Sequence, residues 1–316
     1  MNSDLTTVYY LDTLPYLHKG RAVALGFFDG IHMGHKEIIR KTVKTAVLQG
    51  LTSTVLTFSN FGKCGNGLIQ TVEEKREALS LLGVNELLVL DFNAVKDMPA
   101  EWFLDEIINM KLTSCALFAG KDYRFGKDAG GDSKLLKEYA EGHGMDVEIF
   151  DDRLYGEEGR RLSSTWLREA LAEGDVSLYS ELTGGSAFLY SGMVIHGKEL
   201  GRTLGFPTVN IEVPENKFKV RRGVYVSRVT LGGRKLYGVT NVGRRPTVED
   251  TNGDIVETFI FDFDEIIYGA RIKVELLDFI RPERKFASVD ELSSQVAEDK
   301  ETAKTRLAKR GIILGV

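Results

Sequence analysis

Cysteine, long basic runs and long apolar runs are all scarce in this chain of 316 residues. Its two cysteines, Cys64 and Cys115, lie far apart and outside any C-x-x-C pattern, so neither a disulfide framework nor a thiolate metal site is indicated. No basic run exceeds two residues and the formal net charge is -5, which argues against a nucleic-acid partner. No apolar run approaches the ~20 residues that span a bilayer, and residues 1–4 lack the features of a signal peptide. We therefore expect a cytoplasmic protein that acts on small molecules, without a membrane or nucleic-acid partner.

The length and the change of pattern along the chain predict two domains. At ~150 residues per domain, a chain with 43% hydrophobic residues can form two cores. Before Leu182 apolar strands alternate with helices, and after it short strands alternate with glycine-rich turns. We predict domains over 1–182 and 186–316, with a linker around Glu173–Gly185.

The first domain is predicted to be a doubly wound α/β fold. Its predicted strands are Ala22–Phe27, Thr54–Phe58, Leu87–Phe92, Cys115–Ala119 and Val147–Phe150. Its predicted helices are His35–Leu48, Val72–Leu82, Ala100–Met110 and Lys134–Glu141. Fully apolar strands between amphipathic helices indicate a parallel sheet covered on both faces, with ligands at the carboxyl ends of its strands.

The second domain is predicted to be an antiparallel barrel. Its predicted strands are Ala187–His196, Gly223–Thr230, Leu236–Val242, Thr258–Phe263 and Arg271–Phe279. Regular short strands with glycine turns favour a closed barrel. A helix over Val289–Lys309 is expected to pack on it.

The strongest functional signal is the segment 26–35, G-F-F-D-G-I-H-M-G-H, which follows the first predicted strand and opens a helix. Glycines let the backbone approach an anion, and a helix N-terminus offers N–H donors and partial positive charge. His32 and His35, two of only five histidines, can donate to phosphoryl oxygens. An isolated H-x-x-H is more often a turn with one surface and one buried histidine, but the flanking glycines favour phosphate binding. The predicted binding residues here are Gly26, Phe27, Asp29 and Gly34.

Two further segments are predicted to reach the same sheet edge. Asp122 and Phe125 follow the fourth predicted strand as candidate binding residues. The hydroxyls of Ser163, Ser164 and Thr165 precede a helix, with Arg168 one turn on. Such a helix start forms a second anion site, whereas the simpler alternative is an ordinary cap with a solvated arginine.

This combination resembles the H-x-G-H nucleotidylyltransferases, which transfer AMP from ATP to a phosphate and release pyrophosphate. A phosphate monoester is already ionised near neutral pH, so catalysis reduces to aligning two anions and neutralising charge. His32, His35 and Arg168 are the predicted catalytic residues. Mg²⁺ on the triphosphate is expected to neutralise the remaining charge, with Mn²⁺ as the alternative.

The second half carries the more specific motif, G-K-E-L-G-R-T-L-G-F-P-T-V-N over 197–210. With the first half it resembles the bacterial bifunctional riboflavin kinase/FAD synthetase family over nearly the whole chain. The resemblance implies a six-stranded barrel that phosphorylates riboflavin with ATP, so that riboflavin, FMN and FAD are substrates or products. By matching position it implies that Thr208 and Asn210 bind Mg²⁺ and nucleotide, and that Glu257 is the base. The remaining predicted nucleotide-binding residues are Gly201, Arg202, Gly205 and Pro207.

A carboxylate suits the kinase step because the ribityl hydroxyl has a high pKa and must lose a proton. Glu257 lies between Val256 and Thr258, where a lone carboxylate among apolar and β-branched residues invites a functional explanation. The alternative is a solvent-facing strand residue. For Gly201–Gly205 the alternative is a hairpin turn with an exposed arginine.

The chain departs from the family pattern after the second strand. The family shows T-F-D-P-H-P there, whereas residues 57–62 are T-F-S-N-F-G. We hypothesise that Ser59–Gly62 weakens the adenylylation step. Val220 is a smaller departure, since a proline often stands there. The leading interpretation is a bifunctional enzyme; a single retained activity and a non-catalytic flavin or nucleotide sensor are the alternatives, and a homo-oligomer stays open.

Overall fold

The structure is a computed structural model that describes residues 6–15, 20–59, 67–196, 206–244 and 254–314. The chain divides into two compact units, Met1–Trp166 and Leu167–Val316. The predicted boundaries at 182 and 186 stay predictions.

The N-terminal unit contains ten strands and five α-helices among the described residues. The strands are β1 (Thr7–Tyr10), β2 (Arg21–Leu25), β3 (Thr52–Phe58), β4 (Glu86–Leu90), β5 (Ser114–Gly120), β6 (Arg124–Phe125), β7 (Gly131–Asp132), β8 (Asp146–Phe150), β9 (Leu154–Tyr155) and β10 (Arg160–Arg161). The helices are α1 (Met33–Gln49), α2 (Val72–Leu81), α3 (Phe92–Val95), α4 (Ala100–Trp102), which continues as a π-helix over Phe103–Lys111, and α5 (Ser133–Gly142).

Six of these strands form one parallel sheet in the order β1-β4-β3-β2-β5-β8. Both faces are covered, because alternate residues of the buried strand β2 enter two different apolar clusters. Val23 packs with the π-helix residue Phe103 on one face, and Ala24 packs with Ile39 of α1 on the other. The predicted doubly wound α/β fold is confirmed.

The C-terminal unit is built on a curled antiparallel sheet. Its strands are β11 (Phe188–Met193), β12 (Thr208–Glu212), β13 (Gly223–Leu231), β14 (Arg234–Arg244), β15 (Asp254–Ile260) and β16 (Arg271–Pro282). They lie in the order β11-β16-β13-β14-β15-β12. A bridge between Ile195 and Asn210 brings the two edges together. The predicted six-stranded antiparallel barrel is confirmed.

The predicted C-terminal helix is also confirmed, as helix α8 (Val289–Lys309). Two shorter helices precede the barrel, α6 (Ser164–Glu173) and α7 (Val176–Leu182). Helix α8 buries Ala303 and Leu307 against the sheet, and the buried carboxylate of Asp299 pairs with Arg281 of β16 at 2.7 Å.

The structure contains elements that the sequence-based expectations lack, namely strands β1, β6, β7, β9, β10 and β12 and helix α3. Part of the expected linker is helix α7, which ends where the Thr183 hydroxyl, fully buried, donates to the carbonyl of Tyr179 at 2.8 Å. The N–H of Val220 donates to the hydroxyl of Tyr190 at 3.2 Å, a bond that the family's proline lacks the donor to make.

Candidate active sites

A cavity of about 570 Å³ opens at the carboxyl ends of the parallel strands in the N-terminal unit. It collects the three segments that the sequence predicted to meet there. The predicted residues that line it are Gly26, Phe27, His32, Gly34, His35, Asp122, Ser163, Ser164 and Thr165. Their assigned roles stay predictions.

The two histidines form a stacked pair in the cavity wall. Their ring centroids are 3.6 Å apart, with an angle of 18° between the ring planes. His32 caps helix α1, since its Nδ1 accepts the N–H of His35 at 3.3 Å, which leaves its Nε2 to carry the proton of a neutral ring. A Cβ on Gly34 would lie 3.3 Å from the His32 ring, so a residue without a side chain suits the stack.

Both imidazoles are neutral at physiological pH. Burial, opposed by Asp122 and aided by Arg161, lowers the pKa of His32 to about 4. Burial, His32 and Lys75 together hold the pKa of His35 well below its usual value. Each ring is therefore a neutral N–H donor, and positive charge at this site comes from other groups.

We expect the N-terminal unit to lose stability as the pH falls from 7.5 to 5.0. The unfolded His32 side chain, with a pKa of about 6.5, binds a proton in this range while the folded one does not, which favours unfolding by about 2 kcal/mol. Urea unfolding followed by tryptophan fluorescence measures this unit, because both tryptophans, Trp102 and Trp166, belong to it.

The control is His32→Asn, since an asparagine oxygen can still accept the His35 N–H but does not titrate. Between the two pH values, we expect its free energy of unfolding to fall by about 2 kcal/mol less than that of the wild type. Equal pH dependence in the two proteins would contradict a buried neutral His32.

Two predicted binding residues lie behind the cavity wall. The carboxylate of Asp29 is fully buried and accepts the N–H groups of Ile69 and Gln70, each at 3.1 Å. Phe125 packs against Phe103 and Tyr123. Asp29 and Phe125 therefore contact neighbouring residues of the protein in the structure and do not line the cavity.

The N-terminus of α6 is hydrogen-bonded to the histidine loop, by which we mean residues 26–32 between β2 and α1. Ser164 donates its hydroxyl to the carbonyl of Asp29 at 2.7 Å, and the Ser163 hydroxyl accepts the N–H of Trp166 at 3.2 Å. Arg168 follows on the same helix, past the residue where the N-terminal unit ends.

An ion-pair network at the cavity was missed by the sequence analysis. Arg161 pairs with Asp122 and, at 2.8 Å, with Asp152, and Lys121 pairs with Asp152 at 3.3 Å. The network orients a guanidinium at the cavity wall, where it can donate to phosphate oxygens. Only the position of Arg161, just before S-S-T, hinted at this role.

Of the residues that depart from the family pattern, Ser59–Gly62, the structure describes only Ser59. The N–H of Ser59 donates to the carbonyl of Leu90 at 2.9 Å, which continues the sheet contact past β3. Asn60–Gly62 lie outside the described residues.

The second site lies on strands β12 and β15. Thr208 donates its hydroxyl to Oε1 of Glu257 at 2.7 Å, and the buried Asn210 stands directly opposite Glu257 in the strand register. Asn241 of β14 stands opposite Glu257 on its other side. The structure thus brings the three predicted kinase residues together.

A mainly apolar cavity of about 180 Å³ adjoins this cluster. Pro207, Thr208 and Asn210 line it together with Ile267, Tyr268 and the acidic residues Asp264 and Glu265. Such a cavity suits a flat aromatic ring whose polar substituents reach Thr208. Gly201, Arg202 and Gly205 lie outside the described residues.

In the part of the chain that the structure describes, no helix has the length and apolar character that a membrane crossing requires. Within that same part, no three His, Cys, Asp or Glu side chains cluster in a way that could hold a metal ion.

Comparison with known proteins finds one family model in each half of the chain. The model for FAD synthetase matches residues 15–166, and that for riboflavin kinase matches residues 184–307. The bifunctional riboflavin kinase/FMN adenylyltransferase of Bacillus subtilis is 34% identical over 291 residues, which cover 89% of this chain and 90% of that protein. The protein of the same name from Escherichia coli K12 is 34% identical, over 90% of this chain and 92% of that one.

A solved structure supports the fold over the same extent. It is described as a macrolide-efflux protein from Streptococcus pneumoniae, and it is 31% identical with a TM-score of 0.81. The match covers 94% of this chain and 98% of that one. Since both halves match in order and over most of their length, the chain belongs to the bifunctional riboflavin kinase/FMN adenylyltransferase family.

Proposed function

We propose that this protein makes FMN from riboflavin and ATP in its C-terminal unit, and FAD from FMN and ATP in its N-terminal unit. The observation that carries the proposal is that each unit holds a cavity whose side chains suit one of the two steps. The relatives named for both activities match nearly the whole chain.

In the adenylylation step an oxygen of the FMN phosphate attacks the α-phosphorus of ATP, the bond to the β-phosphate oxygen breaks, and pyrophosphate leaves. No proton must be removed from the nucleophile. The neutral His32 and His35 can donate N–H groups to the α-phosphate, and the oriented Arg161 can neutralise charge on the leaving group. The N-termini of α1 and α6 align the two anions, and this alignment supplies the remaining part of the rate acceleration.

In the kinase step the ribityl hydroxyl attacks the γ-phosphorus and ADP leaves. Glu257 accepts the hydroxyl proton, and Thr208 fixes its carboxylate through the 2.7 Å hydrogen bond. The apolar cavity beside Thr208 is suited to the adenine ring.

Mg²⁺ is the metal that we propose for both steps. The Thr208 hydroxyl and the Asn210 amide oxygen are oxygen donors on one strand, next to the carboxylate of Glu257, which fits a cation that binds few protein ligands and several phosphate oxygens. When bound, Mg²⁺ would neutralise phosphate charge during transfer. The net charge of -5 and the lack of basic runs support small-molecule partners only, and the cysteine usage supports a cytoplasmic enzyme.

Product chromatography tests the proposal. Purified protein is mixed with Mg²⁺ and ATP, and one reaction starts from riboflavin while a parallel one starts from FMN. FAD from both supports the bifunctional enzyme. FMN from the first without FAD from the second leaves a kinase alone and implicates Ser59–Gly62, and binding without any product favours a sensor.

A further inference from the structure

A buried lysine contacts the backbone of the histidine loop from a different helix. Lys75, in the first turn of α2, is only 2% exposed. Its ammonium donates to the carbonyl of Phe27 and to the hydroxyl of Thr57, both at 2.8 Å. The Thr57 hydroxyl donates to the same carbonyl at 2.7 Å. Two side chains from separate elements thus hold one carbonyl of the loop.

That loop has an unfavourable backbone conformation. Phe28 and Ile31 adopt φ values of 49° and 37°, in the left-handed region that non-glycine residues seldom enter. A Cβ on Gly26 would lie 2.9 Å from the Phe28 ring. Fixed contacts are therefore required to keep the loop in this shape.

The loop in turn sets the position of the histidines. The buried Phe28 ring meets the His35 ring edge-on, with centroids 5.1 Å apart, and His35 stacks on His32. Because Phe28 follows Phe27 directly, a shift of the Phe27 carbonyl would move the Phe28 ring. The His35 and His32 rings would then move with it, since each ring contacts the next. Lys75 itself does not line the cavity.

We propose that Lys75 is a positioning residue for adenylyl transfer, which holds the Phe27 carbonyl and thereby keeps Phe28, His35 and His32 in reacting geometry. The proposal rests on the proposed adenylylation of FMN. It assigns no contact between Lys75 and substrate. It also gives a reason for a buried ammonium, whose removal from water costs free energy that its hydrogen bonds must offset.

The test compares Lys75→Met, Lys75→Arg and the matched control Arg76→Met in FAD synthesis from FMN. Arg76 is the next residue on α2, and it pairs with Glu73 on the same helix. For Lys75→Met we expect kcat to fall at least about 30-fold with each KM changed less than about 3-fold, because misplaced reacting groups lower turnover more than binding. Lys75→Arg should recover most of the loss, and Arg76→Met should behave as wild type.

A second readout does not depend on turnover. The Cε1–H resonances of His32 and His35, assigned with His32→Asn, should shift in Lys75→Met and also in Thr57→Val, which keeps the Lys75 charge, and stay in place in Arg76→Met. This shift is expected even if the wild type makes no FAD, so failure of the proposed function and failure of the positioning role are distinguishable. Unchanged resonances and unchanged kcat in Lys75→Met would overturn the proposal.

A third pair of variants decides the matter if Lys75→Met does not fold. Thr57→Val removes the hydroxyl that shares the Phe27 carbonyl, and Thr57→Ser keeps it. We expect a lower kcat in the first alone. Equal kcat in both, at or near the wild-type value, would also overturn the proposal.

Discussion

Glu257→Gln is expected to lower the rate of FMN formation from riboflavin by about 10²- to 10⁴-fold, the usual contribution of a general base. In the wild type, the Thr208 hydroxyl donates to Glu257 at 2.7 Å. The glutamine amide keeps the shape of the side chain, and its oxygen can still accept this hydrogen bond. It cannot accept the ribityl proton. Adenylylation of supplied FMN should be unchanged, since it proceeds in the other unit.

The matched control for this variant is Glu301→Gln on helix α8. Glu301 pairs with Lys304 on the helix surface, with 72% of its side chain exposed, so loss of its charge should leave both rates unchanged. Kinetics of both steps and thermal unfolding are measured on all three proteins. A Glu257→Gln enzyme that phosphorylates riboflavin at the wild-type rate would exclude Glu257 as the base.

The α/β fold could be predicted because its strands are buried on both faces. Strand β2 is apolar at Ala22, Val23, Ala24 and Leu25, and each of these residues is at most 1% exposed. Strand β1 escaped prediction because it is an edge strand of four residues whose ends, Thr7 and Tyr10, are exposed. Apolar periodicity is weak in such a strand.

The π-helix over Phe103–Lys111 was predicted as part of an ordinary helix. Its buried residues, Phe103, Leu104, Ile107 and Ile108, repeat at three- and four-residue spacing, as in an α-helix. The pattern of burial therefore carries no sign of the wider turn. Strand β12 escaped for another reason, since Thr208–Asn210 also form the end of the motif over 197–210.

At the N-terminal cavity, the sequence predicted that contiguous motifs meet, but it did not predict the contacts between distant residues. His32, His35 and Ser164 lie in recognisable motifs. The Lys75 contact with Phe27 joins residues 48 positions apart, and the pairing of Arg161 with Asp122 joins residues 39 apart. Such contacts depend on the packing of the sheet and its helices, which a single sequence does not reveal.

His32→Ala and His32→Asn are both expected to lower the rate of FMN adenylylation by about 10²- to 10³-fold. This is the usual effect of removing one hydrogen-bond donor that is oriented toward charge developing in the transition state. Riboflavin phosphorylation should be unchanged in both. His143→Ala is the control, because His143 is exposed and stacks on Tyr139 away from the cavity wall. Rates of both steps and thermal stability are the measurements.

The two substitutions at His32 separate a structural role from a catalytic one. Alanine removes the cap of α1, in which His32 Nδ1 accepts the His35 N–H at 3.3 Å, and should cost about 1 kcal/mol of stability. Asparagine restores an acceptor for that N–H but has no atom at the position of Nε2. If the cap were all that His32 contributes, His32→Asn would synthesise FAD at the wild-type rate. Equal loss of activity in both variants, with stability lost only in His32→Ala, shows that adenylylation needs the His32 imidazole ring itself and not only the cap.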